Sequence, residues 1–203
     1  MRLNLDSPIL DHMNTAVDFM VLNMVYLIFC IPIITIGPAT AALYQVTLRE
    51  ARKEHGYLVR RFFQHFREMF LQGIFTFLFF AGVLSVAAFA LAFWFTLGTF
   101  PGTVAFLFTL LVTVMIVCAL IYVFPLMARF ENRFLQTIKN AFLFAVSNVR
   151  SSFLLLLLRV LTAVLLYLLP VMRIFMMIIG FSFIAWLDSV IFTRLFSPYE
   201  RDS

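Results

Sequence analysis

Charge is the scarcest ingredient of this sequence. Only 12% of its 203 residues are Asp, Glu, Lys or Arg, about half of the ~25% usual in soluble domains. Ten acids and fifteen bases cannot cover a water-soluble fold of this size, and the 64% hydrophobic content excludes disorder, which needs the opposite balance. Cysteine is nearly absent. Cys30 and Cys118 lie inside apolar runs and are read as small buried apolar residues rather than a disulfide framework. The histidines, His12, His55 and His65, are scattered, with no His-Glu-x-x-His helix and no paired-cysteine motif for zinc. No Walker A sequence and no Gly-x-Ser-x-Gly elbow is present. These absences predict a protein that is not an enzyme and carries no cofactor and no metal.

What is present is length of apolar chain. Five runs stand out: about 18–36, 71–97, 103–127, 152–169 and 174–193. A membrane-spanning helix needs about 20 mostly apolar residues, and unbroken runs such as 75–95 lack the alternation of barrel strands. The fold class is therefore all-α: a polytopic membrane domain over 1–203 with about five transmembrane helices and two connections, 37–70 and 128–151. Pro32 and Pro38 stand at the end of the first run, Pro101 in the hairpin Gly98–Gly102, Pro125 at the end of the third run and Pro170 between the last two. Proline lacks the donor that a helix interior needs, so these positions read as boundaries. Ala39-Thr40-Ala41 fits a cleavage pattern, but no positive stretch precedes the first run. That run is expected to stay as a membrane helix.

The bases are unevenly placed. The 37–70 connection holds Arg49, Arg52, Lys53, Arg60, Arg61 and Arg67. The 128–151 connection holds Arg129, Arg133, Lys139 and Arg150, and the tail holds Arg194 and Arg201. The other side has Arg2 and Arg173. Lys and Arg stay cytoplasmic, which predicts an N-terminus outside, a C-terminus inside and both long connections in the cytoplasm. Bases that flank apolar runs point to lipid headgroups as partner, not to nucleic acid.

Each connection has an amphipathic segment. In 56–70, Leu58, Val59, Phe62, Phe63, Phe66, Met69 and Phe70 share one helical face, opposite Arg60, Arg61 and Arg67. In the second, Phe130, Phe134, Leu135, Ile138, Phe142 and Val146 make a stripe. Basic amphipathic helices lie in the headgroup region or dock on a partner. Both readings stand for Arg60, Arg61, Phe62, Phe63, Phe66 and Arg67. The recurrence of Pro-Ala-Thr-Ala at 38 and Pro-Leu-Met-Ala at 125 hints at a helix–connection–helix unit used twice.

The stretch 30–43, Cys-Ile-Pro-Ile-Ile-Thr-Ile-Gly-Pro-Ala-Thr-Ala-Ala-Leu, resembles the N-terminal signature of the YesL-like membrane family. Phe62-Phe63-Gln64-His65-Phe66-Arg67-Glu68-Met69-Phe70 and Phe124-Pro125-Leu126-Met127-Ala128-Arg129-Phe130-Glu131-Asn132 are similar to it in the same order. The resemblance implies a small polytopic protein of the bacterial cytoplasmic membrane. Family members are often encoded beside carbohydrate ABC importers and glycan-degrading enzymes, which suggests an accessory role in sugar uptake. It supplies no catalytic or binding site. Within the motif, Pro32, Thr35, Gly37, Pro38 and Ala39 read as a turn at the membrane surface: Pro32 weakens the helix before its end, Gly37 supplies a backbone angle other residues resist, and Pro38 starts a new direction. Thr35 and Thr40 are placed to bond freed backbone groups. A broken-helix ion or substrate site is the alternative.

Two ionisable residues lie inside apolar runs, and such residues need partners. Arg159 and Asp188 are each about 10 Å from the cytoplasmic surface at ~1.5 Å per residue. They are expected to pair and lock the last two helices, unless Arg159 snorkels to the headgroups by itself. Asp18 is read as interfacial. The small residues Ala81, Gly82, Ser85, Ala88 and Ala92 recur at three and four along the second run and let another helix approach closely. The second and third runs carry few polar groups with which to line a pathway. We therefore expect a non-catalytic accessory subunit of a carbohydrate importer that docks on permease subunits. A small oligomeric transporter or an intramembrane sensor are the alternatives.

Overall fold

The computed structural model describes residues 8–54, 56–130 and 133–196, with side chains from residue 15 onward. His55, Arg2, Glu131, Asn132 and Arg201 lie outside the described residues, as does the side chain of His12. All elements among the described residues are helical. They are α1 (Pro8–Cys30), a 3-10 turn (Ile33–Thr35), α2 (Ile36–Ala51), α3 (Leu58–Glu68), α4 (Phe70–Leu97), α5 (Phe100–Arg129), α6 (Phe134–Ser147), α7 (Val149–Leu168), α8 (Pro170–Phe175), a π turn (Met176–Gly180) and α9 (Phe181–Phe196). Among the described residues, four helical stretches are long and apolar enough to cross a membrane: Phe70–Leu97, Phe100–Arg129, Val149–Leu168 and Pro170–Phe196. The first helix is 23 residues long, and its stretch Thr15–Cys30 is a shorter apolar helix. The chain is thus a polytopic helical membrane protein, with four candidate spans among the described residues.

The first run does not make one helix over 18–36. α1 stops at Cys30, and Pro32 sits in an extended conformation before the 3-10 turn. The Thr35 hydroxyl lies 2.6 Å from both the Phe29 and the Pro32 carbonyl oxygens. It thus serves the carbonyls that a helix C-terminus leaves without partners.

The larger departure is α2. Gly37–Ala51 falls in the 37–70 connection, yet α2 is the central helix and packs against α1, α3, α4, α5 and α9. Gly37, Pro38, Ala39, Ala41, Ala42, Leu43, Tyr44, Val46, Thr47 and Leu48 are all buried. Gly37 and Pro38 do not turn the chain. Pro38 stands in the first helical turn, where no backbone donor is required. Gly37 has no left-handed backbone angle; its role is contact. A Cβ on Gly37 would lie 2.2 Å from the Gly73 carbonyl oxygen, and one on Gly73 would lie 2.6 Å from Pro38 Cα. Small residues bring two backbones together here, as they do between membrane helices generally.

Pro125 does not end the third run either. It lies inside α5, which continues to Arg129, and proline is tolerated where neighbouring helices and local adjustments serve the freed backbone groups. Pro38 and Pro125 therefore occupy different structural positions, and the suggested duplication finds no counterpart in them. The α4–α5 turn follows its sequence: Gly98 takes the left-handed conformation at φ 61, and Thr99 Oγ1 accepts from the Gly102 amide at 3.3 Å.

Candidate functional site

The residues with most chemistry converge on the centre of the bundle. α2 brings Tyr44, α7 brings Arg159 and α9 brings Asp188. Arg159 Nη2 donates to Asp188 Oδ2 and, at 2.7 Å, to the Tyr44 hydroxyl. Tyr44 in turn donates to Asp188 Oδ2 at 2.8 Å. Asp188 is completely buried, and its other oxygen, Oδ1, has no hydrogen-bond partner among the described residues. A buried carboxylate without donors costs several kcal/mol or neutralises itself. The guanidinium and the phenol together hold this one in place. One turn along the same interface, the Thr47 and Ser189 hydroxyls lie 2.8 Å apart.

A second polar centre sits at the π turn. Asn23 of α1 is fully buried. Its Nδ2 donates to the Met177 carbonyl at 2.7 Å and to the Met176 carbonyl at 3.1 Å, while its Oδ1 accepts from the Ser182 amide at 3.1 Å. The carboxamide therefore bridges a carbonyl and an amide five residues apart in the chain, the spacing of a π-helical bond. It satisfies the backbone where the last span departs from α geometry. Asp18, five residues earlier, is exposed.

Between α2, α7 and the last span is a cavity of about 380 Å³. α7 leans on α5, α6 and α8, and Arg159 reaches from it across the gap to Tyr44 and Asp188. Tyr26, Thr40, Tyr44, Arg159 and Thr162 supply the polar part of the wall, and Leu43, Leu166, Phe181 and Ile184 the apolar part. The Arg159 side chain is 36% exposed and lines this cavity.

Arginine does not give up its proton, and the Tyr44 proton is already committed to Asp188. What the arrangement does is hold a balanced charge pair inside an apolar bundle and present part of it to a cavity.

The other residues singled out by sequence are distributed differently. Thr40 donates to Ile36 O at 2.7 Å and lies 3.3 Å from the Tyr26 hydroxyl. Phe62 and Phe66 of α3 are buried and meet Phe29 of α1 edge-on, with centroids 5.8 and 4.7 Å apart. Phe63 also meets Phe29 edge-on, at 5.4 Å, so this face is used inside the chain, leaving Arg60 and Arg67 outward and Arg61 half-buried. The Arg61 guanidinium donates to the Glu54 carbonyl at 2.9 Å. On the same helix, Gln64 and then His65 donate to Glu68 and hold its carboxyl below the usual carboxylate range. α6 is rotated from the expected stripe: Thr137, Ala141, Phe144 and Ala145 are buried, whereas Leu135 and Val146 are exposed. Phe144 sets that rotation by packing on Tyr122 and Phe196. Cys30 and Cys118 are both free and half-buried.

Sequence reasoning paired Arg159 with Asp188 but missed Tyr44, Asn23 as a backbone bridge, and Gly73. The signal for Tyr44 was available. A buried carboxylate needs more donors than one arginine atom supplies, and 36–51 has the small-residue and apolar spacing of a helix.

Residues 19–91 match a family model described as a protein of unknown function, DUF624. YesL-like proteins carry this domain. The match covers α2, α3 and the first two motif blocks; the third block, Arg159 and Asp188 lie beyond it. No curated protein and no solved structure matches the chain.

Proposed function

We propose that this chain is a non-catalytic accessory membrane subunit that docks on the permease of a carbohydrate ABC importer. In this reading it resides in the bacterial cytoplasmic membrane with its N-terminus outside and its C-terminus inside. The observation that carries the docking reading is the α4–α5 hairpin. Beyond Phe80 and before Ala119 only Gly102 is buried, and large side chains stand open, such as Phe89 at 75% and Phe108 at 67%. Along that hairpin Ala81, Gly82, Ser85, Ala88 and Ala92 form a row of small residues, and a Cβ on Gly82 would meet nothing within 4 Å. A small-residue row left open at Gly82 is suited to close approach by a helix of another protein. The importer and its sugar enter through the resemblance to the YesL-like family.

The test is gentle purification from the native host under its own promoter, with mass spectrometry of what accompanies the protein. Stoichiometric recovery of ABC permease and ATPase chains is expected. Recovery of the protein alone, or only with itself, counts against docking. It moves weight to a small oligomeric transporter, the reading that the Arg159-lined cavity favours.

A further inference from the structure

We propose that the cavity between α2, α7 and the last span is a binding site for an uncharged, hydroxyl-rich group. The hydrogen-bonding capacity left open on its walls selects that chemistry. Arg159 uses Nη2 for Tyr44 and Asp188; its Nε and Nη1 donors have no partner among the described residues. The hydroxyls are in the opposite state. Thr162 donates to Leu158 O at 2.8 Å, and Thr40 donates to Ile36 O at 2.7 Å. The proton between Tyr26 and Thr40 therefore comes from Tyr26. Tyr26 and Thr162 thus offer the cavity only lone pairs. One end of the ligand must accept from a guanidinium, and another must donate to hydroxyl oxygens.

Charge narrows the class further. Asp188 already balances Arg159 in direct contact, so the site has no net charge to offer. A carboxylate or phosphate would find donors on Arg159 alone. It would bring a second negative charge beside a completely buried Asp188 that already neutralises Arg159. A cation would meet the guanidinium. A hydroxyl both donates and accepts and asks neither partner to leave. The apolar wall of Leu43, Leu166, Phe181 and Ile184 suits the C–H faces of such a molecule or the first carbons of an attached chain. At about 380 Å³ the cavity lies at the lower end of the roughly 300–1,000 Å³ usual for small-molecule sites. The hydroxyls can be those of a free sugar or of a lipid headgroup. This inference does not rest on docking to an importer, so copurification and ligand binding can fail separately.

The experiment uses the full chain in nanodiscs of a single phospholipid. Its thermal midpoint is followed against glucose, octyl glucoside below micelle formation, octanoate and octyltrimethylammonium. A saturable rise with a hydroxylated probe, and none with either charged octyl compound, is expected. A rise with glucose assigns a soluble source, and a rise with octyl glucoside alone assigns a lipid headgroup. Thr162→Val keeps the side-chain shape and removes one acceptor, as Tyr26→Phe removes another. Each should weaken the hydroxylated probe about tenfold, the loss of one good polar contact. An equal or larger rise with octanoate overturns the proposal in favour of an anion site. No response to either hydroxylated probe overturns it in favour of a cavity that holds only water. A response that survives both variants places the probe elsewhere and overturns it as well.

Discussion

The α2–last-span core and the α4–α5 hairpin are made of opposite materials. The hairpin is almost wholly apolar, and its outer part is scarcely buried by the rest of the chain. The core contains the polar side chains Asn23, Tyr44, Thr47, Asp188 and Ser189, all buried. Hydrophobicity therefore says where the protein meets lipid, and buried polarity says where it is held to one structure. In hydrocarbon, apolar surface gives helices no reason to associate, and packing and interhelical hydrogen bonds take that part. Substitutions in the two regions should differ in kind.

The largest effect is expected at the charge pair. Asp188→Ala leaves Arg159 without its counter-ion, and Arg159→Ala leaves a buried carboxylate held by Tyr44 alone. Breaking a buried pair from one side costs about 3–5 kcal/mol. The double variant should lose much less than the two losses added, because the second removal takes away an already orphaned group. Thermal or denaturant unfolding in nanodiscs reads this directly. Additive losses would mean that Arg159 and Asp188 are held by other neighbours, and the contrast between core and hairpin would have to rest on Asn23 and Gly37.

Asn23→Leu comes next. It removes the bridge between Met177 O and the Ser182 amide and strands buried backbone groups, each worth about 1–3 kcal/mol. Amide exchange at Ser182 should rise more than exchange in α4. Equal protection in the variant would mean that the π turn closes its own bonds, and Asn23 would then be a passenger.

What the sequence makes legible divides along the same line. The hairpin was legible: α4 and α5 were expected at 71–97 and 103–127 and run from Phe70 to Leu97 and from Phe100 to Arg129. A long apolar run needs no tertiary information to be recognised. α2 was hidden for the converse reason. It is short, contains Gly37-Pro38 and mixes Ala with Tyr, Gln and Thr, so it reads as a connection until its neighbours are known. Gly37 looked like a hinge because glycine frees the backbone. Its actual service, passing Gly73 at backbone distance, depends on a residue 36 positions later in the chain. Arg159 and Asp188 could be paired because charge in an apolar run demands a partner. A neutral Tyr44 makes no such demand.

The smallest effect on stability, and the sharpest form of the comparison, comes from two glycines given the same methyl group. Gly37→Ala places a Cβ 2.2 Å from the Gly73 carbonyl oxygen. Overpacking of that kind forces helices apart at about 1–3 kcal/mol. Gly82→Ala places a Cβ where nothing lies within 4 Å, so the unfolding midpoint of the isolated chain should not fall. Gly82→Leu should also leave that midpoint nearly unchanged while covering the small-residue row. If another protein's helix approaches there, Gly82→Leu lowers copurification of the partner, while the chain itself still folds and inserts. If partner recovery is unaffected, the row is only a lipid-facing surface, and docking must be sought on the outward side of α3, where Arg60 and Arg67 are exposed. A methyl group that costs stability at position 37 and none at 82 separates a glycine used for internal packing from one that the fold itself does not require.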